Sequence, residues 1–322
     1  MMLGLKVLFL VQAEQRAILD RLYDGIQAHC DCDLRWLSDK QQADLKGYFL
    51  KEVDLHAYDC ILLFLRFKKE IRQVGFIQTI PNLAILEHDA YQNYITGKYR
   101  GRFSKHYRTL PSARVITSGF CVANQLREEG VDAVFVPKGY DQALLRDLAQ
   151  SRDIELGFVG SIKSGVYSAR REFLEELALV EPLYVARTNS GVDYLHMLNR
   201  IRFFVSADIG MGEYMIKNFE AMACGCVLFT YDQGEDENRA LGFVDMDNVV
   251  LYRSLKDFRT KLQTLRRDSS LADRIAAKGR QLVEEKYQFS HLGKAVVDAL
   301  QMPFRQLQPS NVWQRARRYL GI

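Results

Sequence analysis

Cysteine is scarce in this chain. There are six in 322 residues, Cys30, Cys32, Cys60, Cys121, Cys224 and Cys226, and no Cys-x-x-Cys pair. The two Cys-x-Cys pairs have no histidines at zinc-ligand spacing, so neither a disulfide framework nor a structural zinc site is expected. Free thiols in a reducing cytosol are expected instead. Long hydrophobic runs are also missing. None approaches the roughly 18 apolar residues that a membrane-spanning helix needs. The opening MMLGLKVLFLV is apolar but has no small-residue cleavage site and runs straight into a charged helical stretch, so it reads as a first buried strand. Excess charge of one sign is lacking too. A net charge of +4 falls short of the dense basic face of a nucleic-acid protein. No proline-rich or serine-rich linker divides the chain, and no sequence repeat is visible. What remains, 48% hydrophobic and 26% charged residues, is the composition of an ordinary globular protein, long enough for two domains.

Short apolar runs alternate with helical periodicity along the whole chain. Leu5–Val11, Leu34–Leu37, Asp59–Leu65, Asn82–Leu86, Arg114–Thr117 and Ala133–Val136 read as six strands, and a helix is expected over Glu14–Ala28. The pattern then restarts with Glu155–Val159, Leu183–Ala186, Arg202–Ser206, Cys226–Thr230 and Asn248–Leu251. Helices are expected over Ala169–Leu179, Tyr194–Asn199, Leu255–Leu265 and Leu271–Tyr287. This alternation predicts α/β architecture, with parallel sheets covered on both faces and ligands at the carboxyl ends of the strands. The break between halves is expected near Ala143–Arg152, giving domains over 1–145 and 146–302 and a basic tail over 303–322.

The rest of the chain is organised around Gly212–Thr230, GEYMIKNFEAMACGCVLFT. Met215, Ile216, Phe219, Met222 and Ala223 recur at helical spacing, and Gly225 suits a left-handed helix cap before a buried strand. Glu220 lies among apolar neighbours, where a carboxylate needs a partner. A sugar or ribose hydroxyl would serve; so would solvent or a nearby lysine. EAMACG, Glu220–Gly225, resembles the donor-binding motif of retaining GT-B glycosyltransferases. Val115–Ser118, Leu126, Pro137–Asp141, Phe158–Gly160, Tyr194–Leu195 and Phe204–Ala207 resemble further pieces of that family in the right order, so the resemblance spans roughly residues 112–251. The sequence departs from the family pattern in four places. Six residues rather than seven separate Glu213 from Glu220. Gly160-Ser-Ile-Lys163 replaces the usual Gly-Arg-Leu, and Cys226 stands where many relatives have proline. Lys138 also replaces the usual asparagine of the Pro-Asn-Gly turn.

The resemblance implies a GT-B fold, two Rossmann-like doubly wound domains facing a central cleft. It implies a retaining, metal-independent transferase that uses a UDP- or GDP-sugar as donor, with no other cofactor. Glu220 would accept from the ribose hydroxyls, Glu213 would contact the transferred sugar, and His88, just past the fourth strand, would lie near that sugar. The residues supply the remaining roles. Gly212, in Gly210-Met-Gly212, would open a helix N-terminus for the diphosphate, and Lys163, Arg170 and Lys217 would add charge. Each has a plainer alternative: His88 paired with Glu87 or Asp89, Lys217 paired with Glu213 four residues earlier, Gly212 in an ordinary turn. The basic run Gly97–Arg108 suits an anionic, lipid-linked or phosphorylated glycan acceptor, peripheral membrane contact at the inner face, or plain solvation. Trp313–Leu320 suits a basic amphipathic helix or one crossing back onto the first domain. The expected activity is transfer to a glycan or lipid-linked acceptor in surface polysaccharide or lipopolysaccharide biosynthesis, in the cytoplasm and without nucleic acid. A noncatalytic sugar-nucleotide-binding or glycan-binding subunit, or a nucleotide-sugar epimerase or hydrolase on the same scaffold, are the alternatives.

Overall fold

In a parallel sheet covered on both sides, the central strands bury both faces and therefore read as unbroken apolar runs. A computed structural model, describing residues 4–14, 19–162 and 168–306, shows two such sheets. The first contains β1 (Lys6–Gln12), β2 (Asp31–Leu37), β3 (Cys60–Phe64), β4 (Leu83–Glu87), β5 (Arg114–Thr117) and β6 (Asp132–Phe135). The second contains β7 (Ile154–Val159), β8 (Leu183–Ala186), β9 (Ile201–Ser206), β10 (Val227–Tyr231) and β11 (Val250–Tyr252). All pairings are parallel, in the orders β2-β1-β3-β4-β5-β6 and β11-β10-β9-β7-β8. These are the same doubly wound topology, once with a sixth strand. Each sheet has a switch point, between β1 and β3 and between β7 and β9, where a ligand crevice belongs.

The eleven runs expected from the sequence all form strands, shifted by up to three residues at their ends. β3 and β4 are buried throughout, as the apolar runs Cys60–Phe64 and Leu83–Leu86 require, with Glu87 buried at the end of β4. The helix expected over Glu14–Ala28 is seen as Asp20–Gln27. All six cysteines are free thiols. Among the described residues no helix is long and apolar enough to cross a membrane.

Among the described residues a helix crosses back from the second half to the first, ahead of the tail 303–322 where the sequence offered such a crossing. The helix that returns to the first sheet is Phe289–Gln301, within the range assigned to the second domain, while residues 307–322, including the run Trp313–Leu320, lie outside the described residues. It packs on Asp20–Gln27 through facing glycines. A Cβ on Gly293 would lie 2.3 Å from the carbonyl carbon of Gly25, a contact with backbone that no rotamer can relieve. Gly293→Ala gains about 1 kcal/mol of helix propensity but forces the helices apart, at about 1–3 kcal/mol for overpacking. A net loss of stability is expected, read as a lower urea midpoint; an unchanged or raised midpoint would show that the contact is dispensable.

Candidate functional site

The carboxyl ends of the strands open onto two adjoining cavities. The larger, of about 740 Å³, is lined from the first sheet by Gln12 after β1, Phe64–Lys68 after β3 and Leu86–Asp89 after β4, and from the other half by Ser161, Arg170 and Met215–Lys217. The smaller, of about 340 Å³, is lined by Val159–Ser161 after β7, Arg187–Gly191 after β8, Tyr194 and Glu220. Ser161, Ile216 and Lys217 line both, so the two cavities meet at the start of one helix, Ile216–Ala223.

That helix forms because Phe219, Ala221, Met222 and Ala223 pack into the core while its N-terminal turn stays at the cavity wall. Met215 is its extended N-cap, at φ −78° and ψ 157°, with no side-chain cap. Uncapped N–H groups and the positive end of the dipole therefore meet the cavity. The helix closes as expected at Gly225. Its φ of +75° lets Gly225 N–H donate to Met222 O at 2.9 Å and Cys226 N–H to Ala221 O at 3.0 Å, a Schellman ending.

Glu220 is half-buried and lines the smaller cavity. The Tyr194 hydroxyl donates to its Oε2 at 2.8 Å. Burial pushes its carboxyl up to about 7, against the opposing pull of Tyr194 and Lys217. Lys217 does not pair with Glu213. Its Nζ donates to Val159 O at 3.3 Å and sits 4.8 Å from the Phe158 ring centroid, at the junction of the cavities. Burial and the charge of Arg170 lower it to about 8. Arg170 lines the larger cavity but is anchored: it pairs with buried Asp208 and donates to Ser161 O at 3.2 Å. His88 lines the larger cavity without a hydrogen bond to Glu87 or Asp89 among those observed. Glu87 instead accepts from Asp89 N–H at 2.7 Å and from the Tyr107 hydroxyl at 3.3 Å. Phe64 meets the His88 ring edge-on at 5.2 Å. Burial and the nearby Lys138 charge lower His88 to about 3, so it is a neutral imidazole in the physiological range.

Two expectations need correcting, and a third falls where it is not tested. Gly212 does not open the helix, which begins at Ile216; its φ of +71° belongs to a loop, and its N–H donates to Gln233 Oε1 at 2.9 Å. Glu213 does not line either cavity. It is fully buried, paired with Lys138 and approached by the Ser118 hydroxyl at 3.4 Å, so its carboxylate is occupied between the two halves. Lys163 lies outside the described residues. Lys138, by contrast, is a wall residue of the larger cavity, signalled in the sequence only by its departure from the family turn. Nothing in the sequence signalled Asp208, which also accepts from Ser206 Oγ and Asn218 Nδ2, both at 2.9 Å.

A family model described as glycosyl transferase-like matches residues 138–298, half of the chain. Among curated proteins no sequence matches. Solved structures do. The Anabaena protein HepE in complex with UDP and glucose superposes with a TM-score of 0.66 at 12% identity, over 93% of this chain and 100% of that one. The T4 phage β-glucosyltransferase gives 0.60 at 11% identity, over 92% and 100%. S. aureus TarM, solved with fondaparinux, α-GlcNAc-glycerol and UDP, gives 0.56 at 12%, over 80% and 59%. At such identities the likeness is one of fold.

Proposed function

The chain belongs to the glycosyl transferase-like family and has the GT-B fold, and from that premise we propose a retaining transferase that takes its sugar from a nucleoside diphosphate sugar. The observation that carries this reading is the meeting of two cavities at Lys217 and the uncapped start of Ile216–Ala223. A nucleoside fits the smaller cavity, with its ribose hydroxyls donating to Glu220. The diphosphate then lies at the junction, against the helix N-terminus and Lys217, with Arg170 adding positive charge behind. The sugar falls in the larger cavity beside His88, whose neutral ring can both donate to and accept from hydroxyls. The acceptor enters from the first-sheet side.

Transfer breaks the bond from the anomeric carbon to the diphosphate, which leaves with the electron pair. The acceptor oxygen forms the new bond and gives its proton to the departing phosphate. In this reading the chain's groups stabilise the leaving charge and orient the sugar, and no metal is needed for either task. Retention is supported by the EAMACG segment, UDP as the nucleotide by UDP-bound structures of the same fold, and GDP only by the resemblance. The acceptor is a glycan or lipid-linked glycan of surface polysaccharide assembly, handled in the cytoplasm.

The test is nucleotide release from UDP- and GDP-sugars with a panel of glycan acceptors, followed by proton NMR of the anomeric linkage. An inverted product ends the retaining assignment. Nucleotide binding without turnover for any acceptor marks a noncatalytic subunit. Isomerised free sugar nucleotide marks an epimerase.

Binding should also depend on pH in a way these groups dictate. Ribose hydroxyls favour the ionised carboxylate, so protonation of Glu220 below about 7 weakens binding, by up to tenfold per pH unit. Loss of the Lys217 proton above about 8 weakens it again. UDP affinity is therefore expected to peak between these values, by calorimetric titration from pH 5.5 to 9.5. Glu220→Gln should flatten the acid limb beyond what the terminal phosphate of UDP, titrating at about 6, contributes. An acid limb identical in both proteins would remove Glu220 from the site.

A further inference from the structure

The segment that gives Tyr91, Gln92, Tyr99 and Phe103 to the wall of the larger cavity contains no aspartate or glutamate from Ala90 to Arg127. Within it, Lys98, Arg100, Arg102, Lys105 and Arg108 are all exposed, and among the described residues none is in salt-bridge distance of a carboxylate. The contrast with the neighbouring edge is sharp, because there Arg66 and Lys69 share Asp39 at 2.8 and 2.7 Å.

This basic face is rigidly mounted. The short helix Arg102–Tyr107 turns Phe103, His106 and Tyr107 inward. Phe103 stacks on Phe67 at 3.8 Å, and His106 Nε2 meets buried Glu70 at 2.7 Å. Asn93 ties the helix down by accepting from Ser104 N–H at 3.0 Å and donating to its hydroxyl at 2.5 Å. Next to Lys98, Arg100 and Arg102 in the chain, half-buried Tyr99 and buried Phe103 line the cavity itself, together with the exposed Lys68. A charged surface thus leads directly to aromatic side chains at the entrance of the site where the acceptor must arrive.

We propose that this face receives an acidic oligosaccharide acceptor, whose carboxylates lie along Lys98, Arg102 and Lys105 while its terminal sugar passes Tyr99 into the cavity. The inference rests on the transferase reading, since only that reading makes the cavity an acceptor site. A glycan fits better than a membrane, because none of the exposed large apolar side chains falls between Ala90 and Ala113, leaving nothing to insert among lipids. It also fits better than a nucleic acid, because the aromatic rings here are turned inward and offer no outward stacking platform.

The test uses fluorescein-labelled hexagalacturonate as the acidic probe and labelled maltohexaose as the neutral one, read by anisotropy on the wild type and on Lys98→Gln/Arg102→Gln/Lys105→Gln. Anionic phosphatidylglycerol vesicles and a short DNA duplex are further arms. The acidic probe is expected to bind, to weaken as salt rises from about 0.05 to 0.3 M, and to lose roughly tenfold or more in the triple variant. Equal binding of the neutral probe, an unaffected triple variant, or binding confined to vesicles or DNA would each overturn the proposal. The three positions are exposed, so the variant should melt at the wild-type temperature. The melting shift that UDP gives the wild type is read separately: a shift without acidic-probe binding sinks only this inference, whereas no shift with UDP or GDP sinks the donor reading.

Discussion

Glu220→Ala should weaken UDP or GDP binding by at least about a hundredfold while leaving the empty protein as stable as before, or more so. The two effects have one origin. A carboxylate at a cavity wall gains little from its surroundings, and burial, aided by the Asp141 charge, has pushed Glu220 up to about 7 against the pull of Tyr194 and Lys217. In the empty state it is held by the Tyr194 hydroxyl and faces the second cavity. Removing it relieves that desolvation, so the melting temperature at pH 8 should not fall. When a ribose is bound, two hydroxyls can donate to the ionised group. Hydrogen bonds to a charged partner contribute about 1.5–3 kcal/mol each, and losing both corresponds to a hundredfold or more in affinity. Calorimetric titration and thermal melting on the same preparation check the pair of signs. A variant that loses stability and binding together would mean that Glu220 is a structural residue. One that loses neither would place the nucleotide elsewhere.

The same residue shows where the sequence was legible and where it was not. Glu220 could be singled out because it lies among apolar neighbours in a segment that resembles a known donor motif, and the neighbouring strands could be read because burial on both faces leaves an unbroken apolar signature. Glu213 could not. It lies close to Glu220 in sequence and looks like part of the same helix, but the intervening turn is held open by tertiary bonds. Gly210 and Gly212 take positive φ, Gly212 N–H is bound by Gln233, and Gln233 Nε2 in turn donates to Asp208 O at 2.7 Å. None of these contacts is local. The carboxylate of Glu237 is a second case. Buried, it accepts from Phe120 N–H at 3.2 Å and Cys121 N–H at 2.8 Å, capping a helix of the other half. Such pairings across a domain boundary leave no periodicity in the chain, and the helix Glu235–Leu241 that supplies Glu237 carries no apolar pattern that would announce it.

Lys138→Met should cost stability in a way that grows with pH. Lys138 and Glu213 lie 75 residues apart and meet where the two halves touch, Glu213 fully buried and Lys138 nearly so. Burial pushes the Glu213 carboxyl up to about 7 from an ordinary 4.5, with Lys138 opposing the shift. A carboxyl raised on folding contributes fully below its unfolded value of 4.5, and that contribution is lost as pH climbs through 7. In the wild type the loss ends there, because the ammonium accepts the newly formed carboxylate. Without Lys138 the carboxyl rises further, and the loss continues at about 1.4 kcal/mol for each pH unit above 7. Methionine retains most of the apolar stem, so at pH 6 the difference from wild type should be only about 1 kcal/mol, one hydrogen bond's worth. By pH 9 it should reach about 3–4 kcal/mol, the range seen when one partner of a buried pair is removed. Urea unfolding of both proteins from pH 6 to 9 measures the gap. Adding Glu213→Gln to the variant should abolish its growth with pH, since the amide has no proton to lose. A gap of constant size across that range would mean that the Lys138–Glu213 contact is not the charged pair that joins the two halves.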